Sequence, residues 1–240
     1  MILEKFLIDL DYSRETLEVS NMLELKKRII TSFFLFSLII LMYFYNFILI
    51  IGLIIITVIV WIEFNGLISK IFSRNDTKNK ILRFIYKSLS LIYQSSLSIF
   101  IILIFVNNTE YKIFVIYALS ISIASDTGGL LFGKIFKGRK LTKISPKKTI
   151  SGSVGSFILS LLLIPFFSKI FENFVFIEIV IYTLLISLMS QIGDLFISYL
   201  KRKAKVKNTS DLLPGHGGLL DRIDGIIFAL PLGIFLTKFL

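Results

Sequence analysis

Cysteine is absent from the 240 residues, and histidine occurs once, at His216. No disulfide, no thiolate nucleophile and no metal site built on Cys or on several His can therefore form. Charge is scarce too: Asp, Glu, Lys and Arg make up 18% of the chain, against 55% hydrophobic residues and a mean hydropathy of +0.83. That balance excludes a soluble globular domain and a disordered chain. Acid is scarcer than base, 16 residues against 27, for a formal net charge of +11. Neither a repeat of fixed period nor a transporter-like inverted repeat is visible.

The chain does have long apolar runs. Seven stretches qualify as spans: about 29–45, 47–68, 84–106, 112–135, 150–170, 174–200 and 219–239. About 20 apolar residues cross the hydrocarbon core as a helix. These runs are continuous, whereas barrel strands would alternate apolar and polar residues. The sequence therefore predicts an all-α polytopic membrane protein of about seven transmembrane helices, with its chemistry in cytoplasmic loops. Residues 1–28 are mixed in charge and lack the cationic start, apolar core and cleavage site of a secretory signal. They are expected to form a cytoplasmic or interfacial arm ahead of a single transmembrane domain, 29–240. Threading seven spans from an inside N-terminus puts 23 of the 27 Lys and Arg in segments 1–28, 69–83, 134–149 and 201–222. By the positive-inside rule those segments face the cytoplasm, and the protein is expected in the cell membrane with its N-terminus inside.

Acidic groups inside spans are costly and usually mark function. Glu63, Asp126, Glu178 and Asp194 interrupt apolar sequence. Glu178 reads as an interfacial residue, and Glu63 equally well as a helix-end group paired with a loop lysine. Asp126 and Asp194 stand beside Gly, Ser or Gln, where a helix admits close approach. Two basic loops carry the remaining signal. In the first, Ser145, Lys148 and Thr149 precede a helix start containing Gly152 and Gly155, a phosphate seat without P-loop spacing. In the second, Lys201, Arg202 and Lys207 lead into Pro214-Gly215-His216-Gly217-Gly218 and then Asp221-Arg222-Ile223-Asp224. Asp221 and Asp224 are three apart and share a helix face. Carboxylates without Cys, and with one His, favour a hard cation, Mg²⁺ or Mn²⁺. Cations beside such a metal suit a phosphate-rich substrate such as a nucleoside triphosphate. At membrane depth, these features suggest phosphoryl or nucleotidyl transfer to a lipid.

The second loop resembles the signature of the phosphatidate cytidylyltransferase (CDP-diacylglycerol synthase) family. The matching residues are Ser198, Leu200, Lys201, Arg202, Lys207, Ser210, Leu213, Pro214, His216, Gly217, Gly218, Asp221, Arg222 and Asp224. Asp126-Thr127-Gly128, Gly133, Ser145-Pro146, Lys148-Thr149 and Gly152 are similar to the family's middle motif, and Gln191 with Gly193-Asp194-Leu195 to its Gly-Asp-Leu element. Trp61 and Glu63 stand where the family often has a similar pair. Asn208, Ile197 and Ser151 occupy positions where the family usually carries an acid, so the resemblance implies an active but divergent member.

The resemblance implies the reaction CTP + phosphatidate → CDP-diacylglycerol + diphosphate, with Mg²⁺ on Asp194 and Asp221. Asp224 would complete the metal's shell, and Asp126 would take a second cation or position the wall. Lys201, Arg202, Lys207 and Arg222 would hold phosphates, with His216 as a hydrogen-bond donor beside Gly217 and Gly218. Ser145, Lys148 and Thr149 would form the opposite wall, and Ser198 belongs to the substrate-binding set. The implied partners are CTP, phosphatidate and the bilayer, with a homodimer suggested by the family alone; no nucleic-acid partner is expected. The rival readings are transfer to another lipid phosphate such as an ether lipid, a CTP-dependent polyprenol kinase, an ion or proton relay through the intramembrane acids, and a non-catalytic protein of the same fold.

Overall fold

A computed structural model describes residues 22, 25, 26, 29–107, 111–142, 145, 148–171, 174–215 and 217–237. Most of the expected arm 1–28, and His216, lie outside the described residues. Helices dominate: α1 (Ile29–Phe44), α2 (Asn46–Ile71), α3 (Thr77–Asn107), α4 (Lys112–Phe136), α5 (Ile150–Leu161), α6 (Phe176–Lys203), α7 (Leu220–Ile223) and α8 (Ile226–Leu236). Among the described residues, five segments are long and apolar enough to cross a membrane: α2, α3, α4, residues Ile150–Lys169, and α6. The chain is thus an all-α, multi-pass membrane protein.

Local sequence explains the breaks. At Tyr45 the backbone is extended (φ −120°, ψ 105°), and the Met42 side chain lies over the bare Gly52, so the chain bends sharply between α1 and α2. Beyond α5, Pro165 opens a 3-10 turn at Ile164–Ile170, because its ring removes a donor that an α-helix would need. Over the seventh expected span, 219–239, the hydrogen-bond ladder is interrupted at Asp224-Gly225, between α7 and α8, while both residues keep helical dihedrals (φ/ψ −57°/−39° and −72°/−42°), so the path stays helical through the junction.

The contacts that follow the breaks set the depth of the acids. α4 and α6 run parallel, joined by Tyr117–Thr183 and Ser122–Ser190 hydroxyl bonds, each 2.7 Å. Asp126 and Asp194 each stand one turn beyond that Ser122–Ser190 rung, so the rung brings the two acids to the same level. α5 lies antiparallel against α4 through Gly128, Gly129 and Gly133 on one helix and Gly152 and Gly155 on the other. α8 returns along α6, where Tyr182 Oη donates to the Gly233 carbonyl (3.0 Å). An aromatic group of Tyr117, Phe167, Phe171 and Tyr182 closes the end of the bundle away from the acids. At the acidic end, Val60, Leu67, Ile197, Leu200, Leu219 and Leu220 bury the base of the second loop.

Candidate active site

The two loops converge on one cavity of about 510 Å³, bounded by α4, α5, α6 and the start of α7. Asp126, Asp194, Asp221 and Asp224 all line it, with Lys148, Lys201 and Arg222 among them. Asp194 and Asp221 therefore face the same space. Each already holds an ammonium: Lys148 pairs with Asp194 Oδ2, and Lys201 Nζ lies 2.6 Å from Asp221 Oδ1. Ser198 Oγ donates to Asp194 Oδ1 (3.3 Å) from one turn further along α6. Asp126, Asp194 and Asp224 are close enough to repel one another electrostatically.

The wall opposite the acids is the N-terminus of α5. Thr149 caps that helix, accepting from the Gly152 amide at 3.0 Å, so its hydroxyl oxygen is partly spent on structure. Ser145 and Lys148 lie beside it at the cavity surface. Lys140 and Thr149 form an antiparallel bridge that pins both ends of the first loop, supported by the Leu141–Lys148 and Ile150–Arg139 backbone bonds (2.8 and 2.9 Å). The second loop turns tightly between Leu213 and Gly217, which are bridged in both directions. Gly215 and Gly217 have φ of +75° and +83°, which glycine adopts without strain.

Asp221 sits just outside the long spans. Burial alone would push its carboxyl up; the Lys201 ammonium and the Thr209 and Gly218 amides outweigh this, holding it below the ordinary carboxylate value. Among the described residues no three His, Cys, Asp or Glu side chains enclose a cation position. Mg²⁺ does not require such a cage, since it binds through one or two carboxylates, waters and substrate phosphates. An all-oxygen set of acids open to the cavity fits that pattern.

A model of the cytidylyltransferase family matches residues 6–240. The chain belongs to that family. Among its relatives are phosphatidate cytidylyltransferases of Bacillus subtilis (strain 168), 38% identical over 125 residues, and of Rickettsia typhi, 42% identical over 141 residues. A third is that of Staphylococcus aureus (strain COL), 44% identical over 123 residues. The matches cover 51%, 54% and 50% of this chain and 46%, 61% and 46% of those proteins. The chain thus spans about half the length of the relatives it matches.

Within this family member, not every expected site residue reaches the cavity. Lys201 lines it, but Arg202 is turned about 100° around α6 and is exposed. Lys207 is exposed and also outside the lining. Of the three departures, Asn208 faces the cavity. Ile197 does not: it is 3% exposed inside the apolar cluster at the loop base, so its position offers nothing to a metal or a phosphate. Ser151 Oγ accepts from the Gly138 amide (3.2 Å) and bonds Thr149 Oγ1 (3.1 Å), holding the first loop.

Gln191 has a larger part than its sequence setting indicated. It lines the cavity, its Oε1 accepts from Ser153 Oγ, and its buried Nε2 has no partner among the described residues. Among the described residues Glu63 pairs with no lysine; hydroxyls and backbone amides of the second loop surround it. Glu178 takes the bland role, accepting from the Val175 amide at the start of α6 (3.3 Å).

Proposed function

We propose that this chain is a phosphatidate cytidylyltransferase, forming CDP-diacylglycerol and diphosphate from CTP and phosphatidate in phospholipid biosynthesis. One observation carries the reading: four carboxylates and three cations from the family's motifs line a single cavity. The names of the relatives point to the same reaction.

Asp194 and Asp221 would hold Mg²⁺, with Asp224 beside them and Asp126 available to a second cation. Bound there, the metal would neutralise charge on the triphosphate and on the departing diphosphate. The chain's own groups do the rest. The α5 N-terminus, with Lys148 and Ser145, offers amides, a hydroxyl and an ammonium to phosphate oxygens. Lys201 and Arg222 offer charge from the facing side, Arg222 in a bidentate geometry. Both lysines are held at the wall by carboxylates, where phosphate oxygens can take them over. The lipid phosphate oxygen forms a bond to the α-phosphorus of CTP as the bond to diphosphate breaks. That phosphate is already anionic, so no strong base is needed. The segments holding the basic loops face the cytoplasm in this reading, in keeping with the charge distribution.

The test uses purified protein in lipid nanodiscs, radiolabelled CTP, phosphatidate and Mg²⁺, with label counted in the lipid phase. Wild type should transfer label. Asp194→Ala and Asp221→Ala should lose at least ~10³-fold while remaining folded, as removal of a charge-stabilising group does. Full turnover by either variant would refute the assignment.

A further inference from the structure

Glu63 is 5% exposed, on α2, more than 140 residues from the loop it touches. Its Oε1 accepts from Ser210 Oγ (2.6 Å) and the Leu219 amide (3.0 Å). Its Oε2 accepts from Thr209 Oγ1 (2.9 Å) and the Leu220 amide (2.7 Å). Four donors thus satisfy both oxygens, and they come from both ends of the Pro-Gly-His-Gly-Gly turn. The two amides are among those that the start of α7 leaves without helical partners.

Thr209 connects this carboxylate to Asp221. Its hydroxyl oxygen lies 2.9 Å from Glu63 Oε2 and 3.0 Å from Asp221 Oδ2. A hydroxyl has one proton, so it serves one acceptor at a time; given to Glu63 Oε2 it anchors Thr209, and the link to Asp221 then runs through the Thr209 amide. Asp221 Oδ2 is also held by the amides of Thr209 (2.8 Å) and Gly218 (3.2 Å). A Cβ on Gly218 would collide with both Thr209 Oγ1 and Glu63 Oε2, so the bare glycine permits the arrangement.

We infer that Glu63, acting through Thr209, is a positioning residue that fixes Asp221 with Oδ2 turned to the loop and Oδ1 turned to Lys201 and the cavity. The inference rests on the reading of Asp221 as a cation ligand. The oxygen available to a metal is then Oδ1, and its direction depends on a carboxylate that touches neither metal nor substrate. Partners one bond removed from a ligand commonly matter this way, because they hold the ligand's orientation.

The experiment measures Mn²⁺ affinity by electron paramagnetic resonance on the full chain in nanodiscs, without nucleotide or phosphatidate. Thr209→Val keeps the side chain's shape and removes the hydroxyl; it should weaken Mn²⁺ binding by about tenfold in protein that remains folded. Thr209→Ser should restore it. Glu63→Gln sets an amide nitrogen against amide donors and should weaken binding at least as much. Should that variant fail to fold, the Thr209 pair still decides. Equal affinity in wild type and Thr209→Val, equal weakening by Val and Ser, or no Mn²⁺ binding in wild type would each overturn the inference. The two readings fail separately. A wild type that binds Mn²⁺ without making CDP-lipid, while Thr209→Val weakens binding, sinks the reaction and supports the positioning. A wild type that makes CDP-lipid, with Mn²⁺ affinity untouched by Thr209→Val, does the reverse.

Discussion

Lys201 and Asp221 carry opposite charges on side chains that are only 16% and 7% exposed. Removing one partner of such a pair leaves the other charge short of compensation, so Lys201→Met should cost about 3 kcal/mol. The sign of the acid response follows from the same contacts. In the metal-free protein the Asp221 carboxyl is held below its unfolded value, so its contribution is complete above about pH 4 and is lost as pH falls through the lower folded value. Without Lys201 the carboxyl rises, and the loss should begin at higher pH. Melting curves of metal-free wild type and Lys201→Met between pH 7.5 and 4 would show this; parallel curves would count against it. At this scale the sequence was legible where an acid interrupts apolar residues, as at Asp126 and Asp194, or belongs to a dense motif, as at Asp221 and Asp224. At Glu63 the acid itself was legible but its partners were not, because they are loop amides and hydroxyls that leave no charge pattern. Nor was the sequence legible at Ile197, where only the buried cluster reveals that the position belongs to the core.

Helix contacts explain why these acids meet. The α4–α6 rungs Tyr117–Thr183 and Ser122–Ser190 set register, and the α4–α5 glycine seam brings Lys148 and Thr149 to Asp126. The seam has no slack. A Cβ on Gly128 would strike the Gly155 carbonyl, and one on Gly155 would strike the Phe132 ring. Gly66, by contrast, has nothing within 4 Å of a built Cβ. Gly128→Ala should therefore separate α5 from α4, lowering label transfer by at least ~tenfold, the scale at which a misplaced binding wall acts. Gly66→Ala should keep full activity and gain about 0.5–1 kcal/mol from the better helix former. Equal behaviour of the two variants in folded yield and transfer would contradict the seam's role. The seven expected spans were legible as apolar runs, although among the described residues α1 and α8 are shorter than a full crossing. The interrupted ladder at Asp224-Gly225 was not legible, because it is a matter of packing: a Cβ on Gly225 would strike Ser190, and one on Gly193 the Asp224 carbonyl.

Across the whole molecule, α2, α4 and α6 end on the side where the acids and both basic loops gather. The described residues of 69–83, 134–149 and 201–222 lie at that end, and these segments with 1–28 hold 23 of the 27 Lys and Arg in the sequence. A membrane-spanning fold cannot place such charge at both ends without working against the positive-inside preference, so the proposed orientation puts the cavity at the cytoplasmic face. The absence of cysteine makes this directly measurable, because any introduced thiol is the sole one in the chain. Asn75→Cys lies in the exposed turn between α2 and α3, and Tyr111→Cys stands at the opposite end, ahead of α4. In intact cells a membrane-impermeant maleimide should label Tyr111→Cys and spare Asn75→Cys until the membrane is opened. The reversed pattern would place the acidic cavity on the outer face, away from cytoplasmic CTP, and would remove the proposed reaction even if Asp194 and Asp221 bind a metal.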